Sequence, residues 1–481
     1  MSPRKQPPTL FKLAVRSSLK FINDCCYDIE KEYSENELKK YKRRILALKT
    51  FLLATLPARL FDALCLERKH IRYRGDPRVQ LHVLIHPRMT VFRRSETDTS
   101  ITQHFWLKTI PWFSRLVVLD LKFLCTDEIL EVVATKCHLL EELNMVSRVD
   151  VCKSVINASV LLRNVSDVGL CCVSHLKKLK VLSMDPPRHE KCSRVGRCVT
   201  QAGIIMLICE LPKLEELNIE SCDIGSTLIG TGIKIGPLSL KKVNCHFASA
   251  DGIRKLIQMC PDLQELSITH LTTNDKELIL AEITSSNLRL NKLNMSFFSY
   301  TDSLRKLLQV QGKYLTHFSL WDIDQSITMD AVVNIGLCCP NLTNFSLITQ
   351  SDQLTLPPSL TRSHKIFKKI RYLTLGNENF DLEKVMMFFL NHSDGIESLV
   401  LKYQVKLPFN NVITNILNNG YLNNITNLWL DCTLDVSKDV VMKLILNCDE
   451  LTTLTADFGE ALADIVDYIN DNNLNLRLGG Y

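Results

Sequence analysis

At 481 residues the chain is longer than a single globular core ordinarily supports, so several domains or one repeat array is expected. Apolar residues make up 46%, Gly and Pro number only 17 and 16, and no run of eighteen apolar residues occurs, which excludes a disordered chain and a transmembrane helix. The net charge of +6 is uneven: residues 1–110 hold 22 Lys and Arg against 11 Asp and Glu, the remainder 36 against 41, so two regions with different jobs are expected.

In chain order, the start Met1-Ser-Pro-Arg has no apolar segment of the secretory kind. The eighteen cysteines are therefore expected as reduced thiols in a cytoplasmic or nuclear protein, not as a disulfide framework. Residues 9–66 carry no strand pattern. Thr9 suits a helix N-cap, and Leu10, Leu13, Ala14, Phe21 and Ile22 follow at helical spacing. A second helix is predicted over 37–55, basic on one side (Lys39, Lys40, Lys42, Arg43, Arg44) and apolar on the other (Leu38, Tyr41, Ile45, Leu48, Leu52). The basic run reads either as a solvated helix face or as a nuclear import signal. Pro57 ends this helix and opens a third over 58–66, with Leu60, Phe61 and Leu64 apolar. Three such short helices have too little core to stand alone and are expected to dock on the first repeat or on another protein. Residues 68–77 read as turn and loop, and 67–109 as a connecting segment and N-terminal cap.

From residue 110 onward one phrase, L-x-x-L-x-L, returns thirteen times, from Leu116/Leu119/Leu121 to Leu451/Leu454/Ala456. The central residues are 23 to 35 positions apart, except for a gap of 39 between Leu143 and Leu182, where a degenerate copy near Val160 is expected. The polar stretch 186–197 reads as a loop. Alternation around L-x-L puts apolar side chains on one face of a short strand, and the stretches between copies have helical period. One strand–helix unit cannot bury its own apolar face, so neighbours must stack. The expected fold class is α/β: a curved horseshoe solenoid with parallel strands inside and helices outside. It should span 110–470, behind a helical module at 1–66 and ahead of a short C-terminal end at 471–481.

In the middle of each L-x-L stands a residue that points away from the core, into the concave surface. Eleven of the thirteen are small and polar or acidic, from Asp120 and Asn144 to Thr455. Val400 and Trp429 break the pattern, and Trp429 reads either as an anchor for a partner or as packing on Tyr403 or Asp431. Glu141, Glu142, Glu215, Glu216 and Glu265 flank these positions and form either an acidic patch for a basic partner segment or a solvated charged face. Glu142, Glu216, Val400 and Trp429 are the candidate substrate contacts.

A Cys stands three residues before the first Leu in four copies: Cys137, Cys260, Cys339 and Cys448. The phrase C-P-x-L-x-x-L-x-L resembles the cysteine-containing subclass of leucine-rich repeats, a subclass common in substrate-recruiting subunits of ubiquitin ligases. In that resemblance the Cys is a small buried thiol at the helix-to-strand turn. The N-terminal module adds a second resemblance. Thr9-Leu10-x-x-x-Ala14 looks like the start of an elongin-binding box of the von Hippel–Lindau type, with Ala14 in the place of the usual Cys and Ser18 in that of an aliphatic residue. Leu56-Pro57-x-x-Leu60-x-x-x-Leu64 resembles its cullin-contacting half. This implies that Leu10 inserts into elongin C and that Pro57 and Leu60 contact a cullin, with Ala14 and Leu64 completing the docking set. The same Leu-Pro phrase also resembles the opening of an F-box, though the D-L motif and the ending of an F-box are missing. A plain N-terminal cap is the third reading.

No phosphate-cradling glycine motif, no H-E-x-x-H, no G-x-S-x-G and no paired Cys/His spacing is present. No cofactor and no metal are expected, nor is nucleic-acid binding, which would call for a basic concave face. The expectation is a non-catalytic substrate-recognition adaptor of a cullin–RING ubiquitin ligase. Its partners would be elongin B/C or an F-box-type adaptor, a cullin and an unnamed substrate protein. The alternative is a regulatory binding solenoid with no ligase link.

Overall fold

A computed structural model describes the chain apart from residues 1–9, 34–37, 69–72, 95–100, 122–124, 147–164, 185–198, 220–221, 230–235, 270–274, 323–326, 350–364, 378–381, 404–408, 431–435, 473 and 480–481. It forms two compact units, one holding residues 8–244 and 258–262, the other residues 245–257 and 263–481.

The first unit opens with four helices, α1 (Leu10–Lys31), α2 (Leu38–Thr55), α3 (Ala58–Glu67) and α4 (Pro77–Leu84). Three of these were legible. The fourth lies where the sequence reads as loop only up to its first residue: Pro77 takes the first helical position, where its missing N–H costs nothing, and Asp76 caps it by accepting from the Arg78 N–H at 2.9 Å. Repeats follow as β1 (Val91–Arg93), α5 (Gln103–Thr109), β2 (Val118–Asp120), α6 (Asp127–Lys136), β3 (Glu142–Met145), α7 (Asp167–Val173), β4 (Val181–Met184), α8 (Gln201–Glu210), β5 (Glu216–Ile219), α9 (Ile224–Ile229) and β6 (Lys242–His246). The strands pair in parallel and in chain order, with the central apolar residues in register: Phe92, Leu119, Leu143, Leu182, Leu217 and Val243.

The second unit continues with α10 (Ala250–Met259), β7 (Glu265–Thr269), α11 (Lys276–Ser285), β8 (Lys292–Ser296), α12 (Asp302–Gln311), β9 (His317–Asp322), α13 (Met329–Cys338) and β10 (Asn344–Thr349). It closes with β11 (Tyr372–Asn377), α14 (Leu382–His392), β12 (Ser398–Tyr403), α15 (Phe409–Asn418), β13 (Asn427–Leu430), α16 (Lys438–Asn447), β14 (Thr453–Thr455), α17 (Leu462–Asp471) and β15 (Arg477–Gly479). From β7 to β15 the pairing is again parallel and sequential. Consecutive parallel strands joined by helices, stacked repeat on repeat, are a leucine-rich-repeat solenoid.

Every one of the thirteen phrases lies on a strand, β2 to β14. The two outer strands escape the phrase because their residues differ. In β1 the register positions are Met89, Phe92 and Arg94, all buried, and in β15 Leu478 alone pairs with Leu454. Leu143 pairs directly with Leu182 across the gap of 39, and the degenerate copy expected near Val160 falls on residues outside those described. Residues 160–164 and the loop expected over 186–197 lie outside the described residues.

Two local devices set the repeat. Cys137, Cys260, Cys339 and Cys448 are all buried where a helix turns into a strand. The Cys137 N–H closes helix α6 on the Val133 carbonyl, and its own carbonyl accepts from the Leu140 N–H. The second device joins helices across repeats. Asp127, first residue of α6, accepts from the N–H and Oγ of Ser166 and from the Gly169 N–H, and so caps α7 as well. Asp167 of α7 does the same for α8, accepting from the Thr200 N–H and Oγ1. A Cβ on Gly169 or Gly203 would collide with these carboxylates, so glycine is needed for the close approach.

Candidate functional site

Two surfaces have the composition of binding sites, and each belongs to one unit. The first is on α1. A buried stripe of Val15, Leu19, Ile22, Cys26 and Ile29 packs this helix into the first unit. The module is tied together by Arg16 Nε to Glu67 at 2.8 Å, Gln80 Nε2 to Asn23 at 2.6 Å and the Tyr73 hydroxyl to Glu30 at 2.6 Å. Asp62 of α3 ties it to the repeats by accepting from the Thr90 hydroxyl at 2.7 Å. The helices thus contact the first repeat, one of the two dockings considered, and use only one face of α1. Leu10 is 84% exposed, and Phe11, Leu13, Ala14 and Phe21 are exposed with it. Five apolar side chains facing water over three turns of one helix are more than packing requires.

Of the residues assigned to docking, Leu10, Ala14 and Pro57 are exposed and Leu60 is half-buried. Leu64 is a correction: it is fully buried, so it serves the module's own core and presents nothing to a partner. The helix period accounts for this, since Phe61, Leu64 and Cys65 form the inward face of α3.

The second surface is the strand face that carries no helices in the second unit. On a strand every second residue shares a face, so each of these strands contributes three residues, not only the middle of L-x-L. Across β8 to β12 one row reads Ser296, Trp321, Ile348, Gly376 and Lys402 in register. A second row reads Ser346, Thr374, Val400, Trp429 and Thr455. Trp321 is 43% exposed and Trp429 44%, and Tyr372 is also exposed. The Phe297 ring stacks on Trp321 at 5.1 Å. Phe297 is held at φ 67, unusual for a residue with a side chain, by its N–H donating to the Trp321 carbonyl at 2.8 Å. Gly376 is buried between its neighbours: a Cβ there would stand 3.1 Å from the Lys402 carbonyl and 3.2 Å from the Ile348 side chain. The expected pair Val400 and Trp429 thus shares this strand face with Trp321 and Tyr372, which stand on other strands. Trp321, Tyr372 and Phe297 escape a reading restricted to the centre of L-x-L, although the alternation extended two residues further would reach the first two. The neighbours considered for Trp429, the Tyr403 side chain and Asp431, lie outside what is described.

The acidic patch is corrected. The parallel register sets a cation beside each carboxylate: Lys180 to Glu141 at 2.7 Å, Lys241 to Glu215 at 3.0 Å, Lys242 to Glu216 at 3.0 Å, Lys292 to Glu265 at 3.7 Å and Arg93 to Glu142 at 3.3 Å. Glu142 and Glu216 are therefore members of charge ladders and offer no net negative field to a basic segment. Between the ladders runs a row of small polar groups, with Asn244 Nδ2 donating to Asn218 at 2.7 Å and Asn294 Nδ2 to Ser267 at 2.9 Å.

Burial pushes the thiols of Cys137, Cys260 and Cys339 up to about 12, so they stay protonated at neutral pH. Among the described residues no group of three or more His, Cys, Asp or Glu is placed to hold a metal ion. His317 lies on β9 next to Lys292, and burial, with that ammonium, lowers its pKa. Among the described residues no helix is long and apolar enough to cross a membrane.

No family model and no curated protein matches the chain. Among solved structures it is similar to the complex of Rad7 and Elc1 in yeast, at 14% identity over 82% of this chain and 94% of that one, with a TM-score of 0.46. It is also similar to an internalin (InlF) from Listeria monocytogenes, at 15% identity over 70% of this chain and 90% of that one, with a TM-score of 0.30.

Proposed function

We propose that this chain is a non-catalytic adaptor that joins two proteins: its N-terminal helices dock a ubiquitin-ligase core, and the aromatic face of its second unit selects a substrate protein. The observation that carries this reading is the unpartnered apolar face of α1, led by Leu10. Water-facing leucine and phenylalanine on a helix that already has a well-packed opposite face is the pattern of a helix that seats in another protein's groove. Leu10 is also the residue that the elongin-box resemblance singles out, so the expected partners are elongin B/C and a cullin, the latter reached through Pro57 and Leu60. Exposed Trp321, Tyr372 and Trp429 on the strand face supply the second contact, since Trp and Tyr in a polar surround dominate binding energy in protein interfaces. The adaptor's contribution is effective concentration: it holds a substrate near a ubiquitin-charged enzyme that other subunits bring.

Affinity capture with the intact chain beside a Leu10→Ala/Pro57→Ala double variant, read by mass spectrometry, tests this. Elongin B/C, or an F-box-type adaptor, together with a cullin should be captured by the intact chain and lost from the variant. Both side chains are exposed, so the variant should melt at the same temperature. If no ligase subunit is captured by either form, the chain is a binding solenoid without a ligase.

A further inference from the structure

Within the first unit, α2, α4 and α5 enclose a cavity of about 580 Å³. Among the described residues its wall contains Lys49, Arg78, His82, His104 and Lys108, and no carboxylate. The rest is Ile85, two hydroxyls (Thr102 and Thr109) and two aromatic rings (Phe105 and Trp112).

Lys49 is the unusual member. It sits on the inward face of α2, between Ile45 and Leu52, and is only 3% exposed. Its ammonium lies 4.4 Å from the centre of the Trp112 ring. That contact offsets part of the lost hydration, but an ammonium has three N–H donors and a ring face is one weak acceptor. No carboxylate pairs with it and no hydrogen-bond acceptor receives it among the described residues. An ion taken out of water without a counter-charge is costly, and burial alone lowers the pKa of Lys49 to about 8.

The other basic side chains point the same way. Arg78 is partly neutralised by Asp76, whose carboxylate holds the guanidinium at 2.6 Å. His104 and Lys108 stand one turn apart on α5, exposed at the mouth. Glu30 and Asp76 line the neighbouring cavity, where Glu30 is engaged by the Tyr73 hydroxyl and the Asp76 N–H. Among the described residues this aromatic-walled cleft gathers basic side chains and no acid, a lining that suits a dianion.

We propose that this cavity is a binding site for a phosphate monoester, with Lys49, His104 and Lys108 on the phosphate and Phe105 and Trp112 against the organic group that carries it. The phosphate supplies the acceptors that Lys49 lacks, in charge-assisted hydrogen bonds stronger than neutral ones. The volume exceeds what a bare ion needs and is of the size that holds a small organic ligand.

Titration calorimetry on the full chain at pH 7 tests the site, with phenyl phosphate, inorganic phosphate, a phosphotyrosine peptide and benzoate as probes. Phenyl phosphate should bind saturably at one site per chain, at least 10-fold more tightly than benzoate. Lys49→Met should weaken it by 10-fold or more. His104→Ala/Lys108→Ala, which alters only exposed side chains, should weaken it too without moving the melting temperature. A free phosphate compound as the natural ligand would show as phenyl phosphate matching or exceeding the peptide, and a phosphorylated protein segment as the peptide binding more tightly. Absence of saturable heat with all three phosphates overturns the proposal. So does equal affinity for benzoate, or an affinity that neither variant changes.

Discussion

The side chain of Lys49 carries a consequence for stability that is separate from any ligand. In the unfolded chain a lysine titrates near 10.4, whereas burial in this fold lowers it to about 8. Between those two values the unfolded state binds more protons than the folded one, so stability rises with pH across that window, and below about pH 8 the full cost of the buried charge is present. Replacing it by Met removes that cost. Lys49→Met is expected to stabilise the free protein at pH 7 by up to about 3 kcal/mol, and the gain should shrink as pH is raised from 8 to 10. Urea unfolding of both forms at pH 7 and pH 9.5 checks this; a gain that does not change with pH would mean that packing, not charge, is responsible. The position was legible in part. Ile45, Lys49 and Leu52 fall at helical spacing on the apolar side of α2, which marks Lys49 as facing inward, but Trp112 lies more than sixty residues away and no local pattern connects the two.

Helices that begin Ser/Thr-Asp show how much of an element its own sequence determines. Thr126 and Ser166 cap their own helices by accepting from Ile129 and Val168 N–H groups, and any reader of N-caps would find them. The following aspartate looks like an ordinary favourable charge in the first turn. Its actual role is to cap the next helix, 33 residues on in the case of Asp167 and Thr200. Asp167→Ala removes both acceptors and leaves the Thr200 N–H and hydroxyl without them, so a loss of about 1–2 kcal/mol is expected. Gly203→Ala should cost at least as much, because the new Cβ displaces the carboxylate of Asp167. The double variant separates the two effects. With the carboxylate gone there is nothing to collide with, so Asp167→Ala/Gly203→Ala should be more stable than the sum of the singles predicts, and additive losses would show that the glycine serves another purpose. On α1 the same boundary appears differently: apolar residues on two faces made the helix itself legible, but which face would be buried depended on α3 and α4, which the helical period of α1 does not describe.

A stack of repeats in which each strand pairs only with its neighbours should behave as a chain of locally coupled units. This is why the fold class was legible from thirteen copies of one phrase, while its outermost strands, built on Phe92 and Leu478 without the phrase, were not. It is also why only Val400 and Trp429 of the exposed strand face were seen. The phrase identifies strands, but the surface depends on registers between strands, and Trp321, Ile348, Gly376 and Lys402 fall into one row only once those registers are fixed. The coupling can be measured. Phe345 stands at the centre of an aromatic cluster, 6.2 Å from Phe318 of the preceding repeat and 5.7 Å from both Phe367 and Phe389 of the following one. Phe345→Ala leaves a cavity that touches three repeats and is expected to cost about 3–5 kcal/mol there. Because repeats further away share no contact with the cavity, hydrogen–deuterium exchange should quicken in β9, β10 and β11, less in β8 and β12, and not at all in β2 to β4. If protection fell by the same factor in every strand, the array would be opening as one cooperative body, and the stability of the binding face could then be tuned from any repeat.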